Sequence, residues 1–136
     1  MLKFFDIHYP LTTAAFSILV VLLLSVRGLG ETASAPSFVR DVQPILAQHC
    51  FKCHGPDDKS RQASLRLDSR EAALKGGESG DPAIVPKKPD ESTLIARLLS
   101  HDDDFVMPPP SEKKQLKPSQ IDTLKRWIVS ARAFLA

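Results

Sequence analysis

A chain of 136 residues with 18 basic and 16 acidic side chains, net +2, has room for a single domain and no charge excess that would suit nucleic acid. The lysine pairs Lys87-Lys88 and Lys113-Lys114 are too short to form a basic patch. The only two cysteines, Cys50 and Cys53, lie three residues apart, so no long-loop disulfide staples the fold.

The amino-terminal stretch differs from the rest. Leu11 to Val26 is an apolar run broken only by hydroxyl residues, preceded by Lys3 and followed by Arg27 and the small-residue tail "GLGETASA". That layout predicts an export signal over residues 1–35, with Ala33-Ser34-Ala35 or Gly28-Leu29-Gly30 at the cleavage point. At ~1.5 Å per residue the run makes roughly 24 Å of helix, short of a ~30 Å hydrocarbon core. The alternative is an uncleaved anchor. Both readings put the remaining domain, 36–136, outside the cytoplasm, as a periplasmic or otherwise exported protein. The anchor would add association with a membrane. Without residues 1–35 the domain keeps a net charge of +2, because Lys3 and Arg27 leave together with Asp6 and Glu31. About 100 residues make a marginal core, which a large apolar cofactor would complete.

Along the domain, Phe38, Val42, Ile45 and Leu46 recur at helical spacing and lead into Cys50. Pro44 is tolerated if the helix starts near Asp41, and Gly55-Pro56 stops it after His54. A polar loop with a short extended piece at Leu65–Leu67 follows. Asp68 and Glu71 have capping-box spacing ahead of a short helix that Gly76-Gly77 end. Ser92 to Ser100 predicts a helix burying Leu94, Ile95, Leu98 and Leu99. Pro118 opens the last helix, with a stripe of Ile121, Leu124, Ile128, Ala131 and Leu135, and with Trp127 and Phe134 beside it. The expected class is all-α: three to four short helices joined by long, proline-rich loops.

The chemistry concentrates in "CFKCH", Cys50 to His54. His49, Cys50, Cys53 and His54 fall within six consecutive residues, and one helical turn cannot wrap them tetrahedrally around zinc. A thioredoxin-like dithiol needs a βαβ setting, which the pattern lacks. C-x-x-C-H is also the attachment sequence for haem c. Two thiols three residues apart on a helical turn can each bond a vinyl group, and the adjacent histidine then offers its imidazole to the iron. The sixth iron position points to Met107, the only methionine besides Met1, in the stiff segment "FVMPPP". His49 and His101 compete for that role. His49 is badly placed beside Cys50, and His101 sits among aspartates.

The order "FVRDVQPIL", "CFKCHGP", "LRLDSREAAL", "IVP", "STLIARL", "MPP" and "LKPSQIDTLKRWI" resembles the planctomycete-type cytochrome c domain over roughly Phe38 to Ala131. The resemblance implies a class I cytochrome c-like fold wrapped around one covalent haem. It assigns Cys50 and Cys53 as thioether positions, with His54 and Met107 as iron ligands. Three departures stand out. Lys87 replaces the glycine usual after "IVP", Lys117-Pro118 replaces a Thr-Pro helix start, and "SARAFLA" ends the chain where Gly-Ala is usual, so the last helix is expected to run on.

The function that follows is single-electron transfer to and from redox partner proteins, as a carrier or as a subunit of a larger oxidoreductase, with no catalytic residue of its own. A haem-based sensor or peroxidase-like protein with a labile distal ligand, or a haem-stabilised interaction module, are the other readings. Arg66 is open between a haem propionate and solvent, and Trp127 between the first helix and haem.

Overall fold

The computed structural model describes residues 34–130. The apolar run Leu11–Val26, the cleavage option Gly28-Leu29-Gly30, Ala33 of the other option, Ala131 and Leu135 of the predicted stripe, and Phe134 beside it lie outside the described residues. Among those described, secondary structure is helical with no strand: a π-helical turn Phe38–Val42, α1 (Gln43–His49), α2 (Phe51–His54), α3 (Arg70–Lys75), α4 (Thr93–Leu99) and α5 (Pro118–Val129). Short 3₁₀ turns at Pro89–Glu91 and Pro110–Glu112 interrupt the loops.

The predicted first helix is thus split in three. Pro44 occupies the first turn of α1, where a missing N–H costs nothing. Cys50 breaks the helix with φ −125°, and α2 adds one more turn. Gly55 then lets the chain turn sharply, because a Cβ there would meet the Phe51 carbonyl oxygen at 2.3 Å.

α5 provides the main packing surface. Leu124, Trp127 and Ile128 are fully buried, together with Val42 and Leu46 from the first segment and Ile84 and Ile95 from the middle of the chain. Trp127 packs on Phe38, ring centroids 5.6 Å apart, which places it on the first helical segment. A ring pair of this kind adds about 1 kcal/mol to burial. The Lys117 side chain caps nothing, since an ammonium cannot accept a hydrogen bond. Instead Gln120 Oε1 reaches back to accept the Lys117 N–H at 2.8 Å.

Several expectations need correction. Ser69, not Asp68, caps α3, accepting the Ala72 N–H on its side-chain oxygen. Asp68 is taken by Arg66, 2.6 Å away. Leu65–Leu67, expected as a short extended piece and not as a strand, lies outside regular secondary structure, and its Leu67 N–H donates to the His54 carbonyl. Leu99 is exposed, because α4 ends at that residue and its apolar face reaches only Leu94, Ile95 and partly Leu98. α5 stops at Val129: Ser130 is extended, and its hydroxyl donates to the Trp127 carbonyl at 2.7 Å.

Lys87 keeps the turn that a glycine would make easily. Its φ is +67°, in the left-handed region, and its N–H donates to the Ile128 carbonyl at 2.8 Å. That hydrogen bond fixes the loop on α5 and holds the lysine in a conformation costing about 1–2 kcal/mol. Lys87 is exposed, so its side chain packs nothing that glycine would forfeit. Lys87→Gly is therefore expected to stabilise the protein by about 1 kcal/mol, after allowing for the added freedom of the unfolded chain. Urea unfolding followed by Trp127 fluorescence checks this; a midpoint unchanged or lowered would refute strain at that position.

Candidate functional site

A cavity of about 420 Å³ lies between the α2 turn, α4 and the loop around Met107. Cys50, Cys53, His54 and Met107 all line it, and so does His49. Much of its wall is apolar, with Leu65, Leu67, Leu94, Leu98 and Pro108 among the lining residues. The volume falls within the range of small-molecule and cofactor sites.

The α2 turn is too short to hold itself. Its last carbonyls have no partner inside the helix, and the following loop supplies them. The Cys53 carbonyl accepts the Gln62 N–H at 2.7 Å, and the His54 carbonyl accepts the Leu67 N–H at 2.9 Å. Arg61 locks the turn between. Its Nε donates to the Gly55 carbonyl at 3.0 Å, its Nη2 to the Pro56 carbonyl at 2.8 Å, and it pairs with Asp58 at 2.6 Å. Nothing in the sequence marks Arg61, which sits in a polar run; only the carbonyls left by Gly55 and Pro56 give it a task.

His49 is committed elsewhere. Its Nδ1–H donates to the Lys114 carbonyl at 2.6 Å, since a carbonyl can only accept. Gln120 has already used its oxygen on Lys117, so its amide nitrogen donates to His49 Nε2 at 3.3 Å. Both ring nitrogens are engaged, which removes His49 as a distal ligand. His101 is exposed and does not line the cavity. Arg66 and Trp127 are likewise not among the lining residues.

His54 differs from His49. Its Nδ1 is buried and makes no hydrogen bond. Burial pushes the imidazole toward its neutral form, the nearby Gln62 backbone opposes this, and the positive charge of Arg97 reinforces it. A neutral imidazole is the form that binds a metal. The two cysteines are free thiols. Burial first, and the neighbouring Cys53 second, push the Cys50 thiol up to about 12. Dithiol exchange needs a cysteine poised the other way, toward thiolate. Among the described residues no group of three or more His, Cys, Asp or Glu converges as zinc ligands would.

Met107 comes from a separate segment. Its N–H donates to the Arg97 carbonyl at the end of α4, 3.1 Å away, and the Pro108 carbonyl accepts from Gln115 Nε2 at 3.0 Å. The Met107–Pro108 peptide is cis. Across the mouth of the cavity Lys52 pairs with Glu112 at 2.9 Å.

Two thiols, an imidazole and a thioether on one largely apolar cavity form a donor set suited to covalent haem. Residues 50–111 match the family Planctomycete cytochrome C. That segment is a planctomycete cytochrome c domain. No curated protein and no solved structure matches the chain. The family implies covalent haem c, and Cys50 and Cys53 of that segment have the spacing it requires.

Proposed function

We propose that this cytochrome is an exported mono-haem protein that passes single electrons between redox partners through an iron held by His54 and Met107. The observation that carries the reading is the convergence of Cys50, Cys53, His54 and Met107, from two separate segments, on one cavity. Haem c bound there supplies a one-electron iron couple. Cys50 and Cys53 would hold it by thioether bonds. The buried His54 ring, whose Nδ1 makes no hydrogen bond, would offer a nitrogen to the iron, and the Met107 thioether would be its second protein ligand. With His54 and Met107 both bonded to the iron, no position on it would be left for a substrate. The apolar residues of the wall would limit the access of water to the iron, and the neutral Met107 thioether would favour iron(II) over iron(III). Export rests on the apolar run Leu11–Val26, which as a retained anchor would also keep the cytochrome at a membrane.

The haem should resist acid-acetone extraction and show two saturated vinyl positions in its pyridine adduct. A variant with both Cys50→Ala and Cys53→Ala should lose covalent haem and most of its cooperative unfolding, because a domain of this size is marginal without it. A stable, haem-free fold in that variant would contradict the reading.

Met107→Ala should keep covalent haem, lower the reduction potential, and let the reduced protein bind carbon monoxide rapidly. Ready binding of carbon monoxide by the unmodified reduced protein at neutral pH would point instead to an open or labile iron site, as in a sensor.

A further inference from the structure

Arg97, on α4, touches the loop bearing Met107 in three ways. Its carbonyl accepts the Met107 N–H at 3.1 Å. Its Nη1–H donates to the Phe105 carbonyl at 3.3 Å. Its guanidinium carbon lies 3.9 Å from the centroid of the Phe105 ring. The rest of the loop is tied mainly to itself. The Asp102 carbonyl accepts the N–H groups of Phe105 and Val106, and Asp102 Oδ1 accepts that of Asp104.

Phe105 is 41% exposed, so burial holds it weakly. A cation over its ring and a hydrogen bond to its carbonyl make up for this. They anchor the loop two residues before Met107, and the backbone bond anchors Met107 itself. The phenyl ring serves as a handle by which a helix side chain holds an otherwise self-contained loop.

We propose that Arg97, by gripping Phe105, is a positioning residue that sets how tightly Met107 is held at the cavity and so how readily the sixth iron position opens. The proposal rests on Met107 being the sixth ligand. An exposed cation–π contact and one hydrogen bond together correspond to about tenfold in the ratio of closed to open loop. Arg97 also places its charge near His54, so a change at Arg97 alone could act on the iron electrostatically. Phe105 separates the two effects, because Phe105→Leu removes the aromatic face and leaves the charge.

The experiment uses the haem-loaded protein and its variants Arg97→Gln, Phe105→Leu and the double variant. Stopped flow measures carbon monoxide binding to the reduced form. The weak long-wavelength thioether-to-iron(III) band reports Met107 in the oxidised form, and the denatured pyridine adduct checks that attachment is intact. Arg97→Gln should bind carbon monoxide about tenfold faster than the unmodified protein, and Phe105→Leu, which loses the ring contact but keeps the hydrogen bond to the residue's carbonyl, about threefold faster, each with a weaker thioether band. The double variant should not exceed Arg97→Gln by much, since both substitutions remove the same ring contact. An effect of Arg97→Gln with none from Phe105→Leu would assign the result to charge and overturn the proposal. No effect from either, with a strong thioether band throughout, would overturn it while leaving Met107 ligation standing. An unmodified protein that lacks the band and binds carbon monoxide at once would overturn both.

Discussion

One helical turn carries Cys53 and His54, and one turn is not stable by itself. Closing a first turn fixes several residues for a single hydrogen bond. The protein meets this constraint from outside the turn, by delivering the Gln62 and Leu67 N–H groups to the carbonyls of Cys53 and His54. Much of the loop conformation between follows. Gly55 allows the reversal, Arg61 holds the carbonyls of Gly55 and Pro56, and Leu67 is buried as its backbone arrives. The stretch that looks like a connector is the scaffold of His54.

The same economy governs the other wall. α4 is short, yet its start and end are both used. Ser92, buried ahead of it, accepts the Val85 N–H and donates to the Lys88 carbonyl, which binds the preceding loop to the helix. The Arg97 carbonyl at its far end receives Met107. A third region, the start of α5, is fastened to the end of α1 through the chain Lys117–Gln120–His49–Lys114. Short helices hold their places here because polar side chains and loop amides join their ends, while the buried cluster around Trp127 packs the first segment and α5 together with Ala73 of α3, Ile84, and Leu94 and Ile95 of α4.

What could be read from the sequence follows from what is local. C-x-x-C-H, the lone Met107 before three prolines, and the apolar spacing of α5 are all contained in short windows, and residues 50–111 carry a recognisable family pattern. The residues that hold the site are not local. His49 meets Lys114 and Gln120, and Lys52 meets Glu112, across some sixty to seventy residues, and no periodicity encodes such pairs. Arg61 and Arg97 act on backbone carbonyls, whose availability depends on where helices end. The helix ends were also where local reading failed: Ser69 rather than Asp68 caps α3, and Leu99 falls beyond the buried face of α4. At Lys87 the reverse occurred. A lysine replaces the glycine that would make the turn easily, but the hydrogen bond to the Ile128 carbonyl holds the left-handed conformation all the same.

The ion pair between Lys52 and Glu112 joins the α2 turn to the segment just beyond Met107. Both partners keep much of their contact with water, so the bond is worth at most about 1 kcal/mol and is screened as ionic strength rises. The dry contacts deeper in the cavity wall feel salt far less. The two lips of the cleft are therefore laced by the component of the structure most responsive to its surroundings, and dissolved ions act first on the edge rather than on the interior.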